Sequence, residues 1–211
     1  MSARARSEQD KKRRERDILS VARELIFKKG LHETTIKDIA QRAGLSVGAI
    51  YLYYKSKEDL YAALQVEALE LMFHYLRNTC EGGTSVENKI QAIAQASLQF
   101  SRDYESYYDI LEYFLSSPGT IFSIDFKSQV DSHGYQIINL IAEVIEEGIK
   151  EGVFKRVNPK IHAVIFWSSL FGSRKFRKLQ TTILHDVDFD ILIETMAEHF
   201  VDGLKREKGK D

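Results

Sequence analysis

Apolar residues recur at helical spacing along almost the whole chain, and period-two alternation is scarce, so the pattern predicts helices and no sheet. Ile18, Ala22, Leu25 and Ile26 form the stripe of a first helix, from about Glu8 to Lys29, ended by Gly30. Ile36, Ile39, Ala40 and Ala43 then fall at i, i+3, i+4 and i+7, one face of a short second helix. Thr35 stands at its N-cap, and Asp38 three residues on completes a capping box. Gly44 tolerates the left-handed backbone that suits a helix stop. Ser46 caps the next helix, Val47 to Tyr53. Ser56 opens a long one, Lys57 to about Cys80, with Glu58 and Asp59 where the helix dipole favours acids. Leu60, Leu64, Ala68, Leu71 and Tyr75 run along one side of it, and Glu81-Gly82-Gly83 breaks it.

Further helices are predicted over Ser85–Tyr104, Tyr107–Ser116, Lys127–Glu151, Pro159–Leu179 and Asp188–Lys205. Pro118-Gly119 and Gly152–Asn158 punctuate them, Pro159 suits a first helical position, and Leu184–Asp186 lies in the last connection. The expected architecture is all-α. A three-helix domain over residues 1–56 is followed by a larger helical domain over residues 57–211. The long helix from Lys57 would belong to both parts and act as their mechanical link.

Helix, short glycine turn, helix is the helix-turn-helix arrangement, whose second helix lies in the DNA major groove. Ser46, Gly48 and Ala49 are small and would let the backbone approach DNA closely. Tyrosine hydroxyls, lysine ammoniums and helix N-terminal amides are phosphate donors. The expected DNA-facing set is therefore Thr34, Thr35, Lys37, Ser46, Val47, Gly48, Ala49, Tyr51, Tyr53, Tyr54, Lys55 and Lys57. Charge agrees. Of a net −1 over 211 residues, residues 1–60 hold fourteen Lys/Arg and nine Asp/Glu, a net +5, which leaves −6 for the remainder. A basic third on an acidic body is the footprint of a domain that meets phosphate. Lys11, Lys12, Arg13, Arg14 and Arg16 either extend that contact as a flexible arm or form a solvated tail.

The run AGLSVGAIYLYYKSKEDL, with Thr35, Ile39 and Ala40 before it, resembles the tetracycline-repressor (TetR) family of bacterial transcription regulators over roughly Asp17 to Ala62. The resemblance implies a homodimeric, ligand-responsive regulator, most commonly a repressor, whose last long helices pair across a two-fold axis. Four positions depart from the family pattern. Val47 replaces a polar or basic residue, Ala49 a threonine, Leu52 a histidine and Tyr54 a phenylalanine. Fewer polar groups then remain for direct base readout.

Two C-terminal helices are apolar on more than one face, which calls for burial on two sides. Ile137, Ile141, Val144, Ile145, Val164 and Phe171 are the expected dimer interface. Aromatic residues are plentiful in this part, Phe122 among them. Phe100, Tyr104, Tyr108, Phe114 and Trp167 are the expected lining of a pocket for a small hydrophobic effector, since ligand pockets are mostly apolar and aromatic. Arg174, Lys175, Arg177 and Lys178 would meet an anionic ligand group or face solvent.

Catalysis is not expected. No P-loop, dinucleotide fingerprint, nucleophile elbow or HExxH occurs. His185, Asp186, Asp188 and Asp190 read better as a loop and a helix cap than as metal ligands. No metal or cofactor is expected. The expected partners are double-stranded DNA, a second copy of the chain and the effector. Cys80 is the only cysteine, no 18-residue apolar run occurs, and the polar N-terminus does not read as a secretory leader, so a cytoplasmic protein is expected. The competing readings are an effector-independent DNA-binding regulator and, less favoured, a helical enzyme.

Overall fold

The computed structural model describes residues 3–81, 85–116 and 123–206; the side chains of residues 3–7, Phe114 and Ser116 are outside the description. The expected breaks at Gly82-Gly83 and Pro118-Gly119, and Phe122, lie outside the described residues. The elements are α1 (Ala3–Lys29), α2 (Ile36–Arg42), α3 (Val47–Tyr51), α4 (Lys57–Thr79), α5 (Val86–Asp103), α6 (Glu105–Ser116), α7 (Ile124–Lys150), α8 (Pro159–Phe176) and α9 (Phe189–Leu204). Among the described residues the only β-type pairing is an isolated bridge between Phe154 and Lys205. Most boundaries fall where the sequence puts them, and the differences sit at helix ends. α1 starts five residues early, at Ala3. α3 stops at Tyr51 instead of Tyr53. The basic end of the eighth helix tightens into a 3-10 turn, Arg177–Leu179. Each end obeys local chemistry. Gly30, Gly44 and Gly152 have positive φ and terminate α1, α2 and α7. Asn158 caps α8 ahead of Pro159, and Asp188 caps α9.

The chain forms two compact units. The first comprises Met1–Leu69 and Tyr104–Asp131, so it adds α6 and the start of α7 to the three-helix reader. Its core is the stripe read from the sequence: Ile18, Ala22, Leu25 and Ile26 of α1 are buried together with Ile36, Ile39, Ile50, Leu60 and Leu64. Each of the Ile and Leu side chains contributes roughly 1.5–3 kcal/mol by leaving water. Arg23 of α1, Glu67 of α4 and Tyr107 of α6 form a half-buried polar triad in which Arg23 donates to Glu67, as does the Tyr107 hydroxyl at 2.9 Å. Burial lowers the Arg23 pKa, but Tyr107 and the Glu67 carboxylate outweigh it and raise the value overall. The Phe27 and Tyr107 rings meet edge to face at 4.9 Å. The buried Asp59 carboxylate accepts the Ser123 backbone N–H at 2.8 Å, fixing the start of α7 to the first turn of α4.

The second unit comprises Glu70–Asp103 and Ser132–Asp211. α5 packs along α9, and α8 on α9. Lys89 spans from α5 to Glu147 of α7 at 2.7 and 2.8 Å, and Arg102 grips Asp190 of α9 through two bonds of 2.9 and 2.7 Å. The Arg102–Asp190 pair is largely exposed and contributes at most ~1 kcal/mol, whereas the Lys89 side chain of the other is mostly buried. The buried faces of α5, α7 and α9 hold the unit together.

One packing site is exacting. A Cβ on Gly148 of α7 would stand 2.2 Å from the fully buried Phe154 ring. Phe154 is itself held by its N–H to the Gly148 carbonyl at 2.9 Å and by the bridge to Lys205. Gly148→Ala is therefore expected to lower the folding free energy by about 1–3 kcal/mol, read as a fall in the denaturant midpoint. An unshifted midpoint would mean that the Phe154 ring gives way without cost.

Candidate nucleic-acid interface

The candidate reader, α3, has only five residues, and its ends are defined by side chains on either side. The Thr35 hydroxyl accepts the Asp38 N–H at 3.2 Å while the Asp38 carboxylate accepts the Thr35 N–H at 3.1 Å, closing the capping box. The Thr35 hydroxyl, which also donates to the Asp38 carboxylate at 2.8 Å, and then the Thr35 N–H hold the Asp38 carboxyl below its usual pKa. The chain reverses at Gly44, whose φ is +66°, and Leu45 N–H returns to the Ala40 carbonyl at 2.9 Å. Ser46 Oγ then accepts the Ala49 N–H at 3.1 Å and starts α3. Such a cap is worth ~1 kcal/mol. Ser56 repeats the device for α4 by accepting the Asp59 N–H at 3.0 Å.

The outward side of this unit carries most of the expected DNA-facing residues. Thr35, Lys37, Ser46, Val47, Gly48, Tyr51 and Lys55 are exposed, while Ala49, Tyr53 and Lys57 are part-exposed. The Lys57 ammonium lies 5.0 Å over the Tyr61 ring. Leu52, passed over as a contact, is 79% exposed at the end of α3. With Val47 and Tyr51 it makes an apolar exposed group of the kind that packs against thymine methyls. Its only sequence signal is an apolar residue just beyond the helix's buried positions.

Two expected contacts are corrected. Thr34 is fully buried, and its hydroxyl donates to the Gly30 carbonyl at 2.8 Å. Its own carbonyl accepts the Tyr61 hydroxyl at 3.0 Å. Tyr54 is buried as well. Its hydroxyl donates to the Glu15 carbonyl of α1 at 3.2 Å, and its ring stacks on Phe126 of α7 with centroids 6.2 Å apart. Burial, reinforced by Glu15 and Glu67, pushes the phenol pKa up. Neither side chain has a donor left for a phosphate. Tyr54, not Tyr53, is the aromatic wedge of the core. Adjacent tyrosines look alike in sequence, and only the turn at residues 52–53 decides which one points inward.

Four residues expected at a dimer interface are corrected too. Ile137, Ile141, Val144 and Ile145 of α7 are buried within the single chain, with no surface left to offer a partner. Val164 is 48% exposed and Phe171 part-exposed. Val164 lies on a stripe with Ile161 and Ile165 of α8, and Ile191 of α9 is also exposed. Of the expected pocket lining, Phe100 and Tyr108 are almost wholly buried, Tyr104 and Trp167 are half-buried, and the Phe114 side chain lies outside the description. Trp167 meets Phe171 at 5.1 Å. Asp188 caps α9, Asp190 is taken by Arg102, and His185 bonds to the Thr182 carbonyl.

Comparison with known proteins agrees with this geometry. Residues 18–64 match the family model described as bacterial regulatory proteins, tetR family. The HTH-type transcriptional repressor KstR2 of Mycobacterium tuberculosis is 25% identical over 143 residues, covering 66% of this chain and 68% of that protein. The fatty acid metabolism regulator protein of Bacillus subtilis is 20% identical over 189 residues, covering 89% of this chain and 93% of its own. The crystal structure of the transcriptional regulator FadR from Bacillus subtilis in complex with stearoyl-CoA shares the fold. It has a TM-score of 0.69 at 17% identity, with 89% of this chain and 98% of that one covered.

Proposed function

By its N-terminal domain the chain belongs to the tetR family of bacterial regulatory proteins, and we propose that it is a ligand-responsive repressor of transcription. In this reading a homodimer holds a palindromic operator and releases it when a small hydrophobic effector binds. The observation that carries the reading is the short capped helix α3, which turns Ser46, Val47, Gly48 and Tyr51 outward beside Lys37 and Lys55. The repressor relative supports the sign of regulation. The stearoyl-CoA in the Bacillus neighbour supports an effector with an acyl chain. Within the second unit, Trp167 is the half-buried member of the expected aromatic lining, with surface to give such a ligand. The pairing face is re-sited to Ile161, Val164 and Ile165 of α8 with Ile191 of α9, whose exposure a second copy would relieve.

Three outcomes are expected. On a duplex selected from a random library by the wild-type chain, Lys57→Ala weakens binding to all sequences and flattens the salt dependence by about 0.9 for each phosphate that it no longer neutralises. Gel shifts at two salt concentrations measure this, and an unchanged slope would remove Lys57 from the interface. Val164→Glu would bury an unpaired charge at the pairing face, a cost of several kcal/mol. Sedimentation equilibrium should show wild type as a dimer and the variant as a folded monomer; a wild-type monomer at micromolar concentration sinks the dimer. An acyl-CoA series titrated by calorimetry with and without the operator should reveal coupling of ~1–3 kcal/mol, roughly 5- to 150-fold, the same in both directions. Equal affinities in the two titrations, for a compound that does bind, would make the regulator effector-independent.

A further inference from the structure

We propose that α1 carries a second DNA-phosphate contact, formed by Lys12 and Arg16 and taken up by the duplex that flanks each half-site. This deepens the operator-binding reading and rests on it. The basic segment is a helix continuous with the core, not a flexible arm. Residues 3–16 hold seven Lys/Arg against Glu8, Asp10 and Glu15, a net +4, which is most of the excess positive charge of the N-terminal third.

Two of the three acids on this stretch are matched on their own helix, which leaves Glu8 one turn before Lys12. Asp10 pairs with Arg13 at 3.1 Å and Glu15 with Lys11 at 3.9 Å. Lys12 and Arg16 are exposed, and neither makes an ion pair among the described residues. Four residues apart, they lie on one side of α1. They line an open groove of 700 Å³ whose other walls are Gln9, Leu19, Tyr54 and the paired Asp10, Arg13 and Glu15.

Tyr54 sets the place of this groove. Its N–H bonds to the Ile50 carbonyl at 3.0 Å, so it belongs to the end of the reader. Its hydroxyl bonds to the Glu15 carbonyl, so α1 is clamped there one turn from Lys12 and beside Arg16. The exposed Lys55 follows directly. Two uncompensated cations held next to the reader by a buried tyrosine suit a polyanion that runs past the reader, and the flanking DNA backbone is that polyanion. Holding them on a helix removes most of the ordering entropy that a flexible arm would lose on binding.

The test uses the full chain and the library-selected duplex, trimmed to its core or extended by about 5 base pairs at each end. Lys12→Gln and Arg16→Gln should each lower the salt slope by about 0.9 per protomer bound. They should leave base preference unchanged and abolish the gain in affinity that the flanks give wild type. Arg14→Gln, two residues away and so about 200° round the helix, removes the same charge from the far side and should do neither. Circular dichroism melts confirm that all three variants fold. Slopes and flank dependence equal to wild type, or an equal loss from Arg14→Gln, overturn the proposal while leaving the reader intact. Failure of wild type to bind any duplex overturns the reader and this contact together.

Discussion

A helix of five residues cannot hold itself in water, because nucleation costs more than one turn of hydrogen bonds returns. α3 exists only because its surroundings impose it, and the organisation of the first unit follows from that need. Ser46 stabilises its first turn, Gly44 sets the angle at which the chain arrives, and Ile50 and Tyr54 anchor its inward side. The outward side is then left to small, apolar and hydroxyl-bearing residues that, apart from the Ser46 cap, stay out of the core and remain available for recognition.

Tyr54 joins this local device to the rest of the unit. Its hydroxyl is spent on the Glu15 carbonyl of α1 and its ring on Phe126 of α7. The Tyr61 hydroxyl does the same for the loop between α1 and α2, through the carbonyls of Leu31 and Thr34. Buried hydroxyls that donate to backbone carbonyls are directional, so they specify position where apolar contacts alone would allow sliding. The Arg23–Glu67–Tyr107 triad and the Asp59–Ser123 bond extend that specification to α6 and the start of α7. A change in the position of α6 or α7 would thus meet the reader's supports through defined polar bonds. This is the physical content of ligand-responsiveness in the proposed mechanism.

Charge is distributed in keeping with these roles. Three acids of the first unit are engaged in a cap or a pair: Asp38 with Thr35, Glu24 with Arg42, Glu67 with Arg23. Lys37 and Lys55 remain exposed. Residues 1–60 carry a net +5 even though the whole chain is slightly acidic.

What the amino-acid sequence determined by itself was local. Thr35 with Asp38, Ser46, Ser56, Asn158-Pro159 and Asp188 announce helix starts, and Gly30, Gly44 and Gly152 announce stops, because capping chemistry acts within four residues. The apolar stripe of α1 and the helix-turn-helix were legible for the same reason. The tertiary structure alone decided which of two neighbouring tyrosines enters the core and that Thr34 turns inward. It alone decided that Ile137, Ile141, Val144 and Ile145 are consumed by the chain's own packing rather than left for a partner. Periodicity says that a face is apolar but not what covers it. The occupant of an apolar face is chosen by residues distant in sequence, and only packing in three dimensions brings them together.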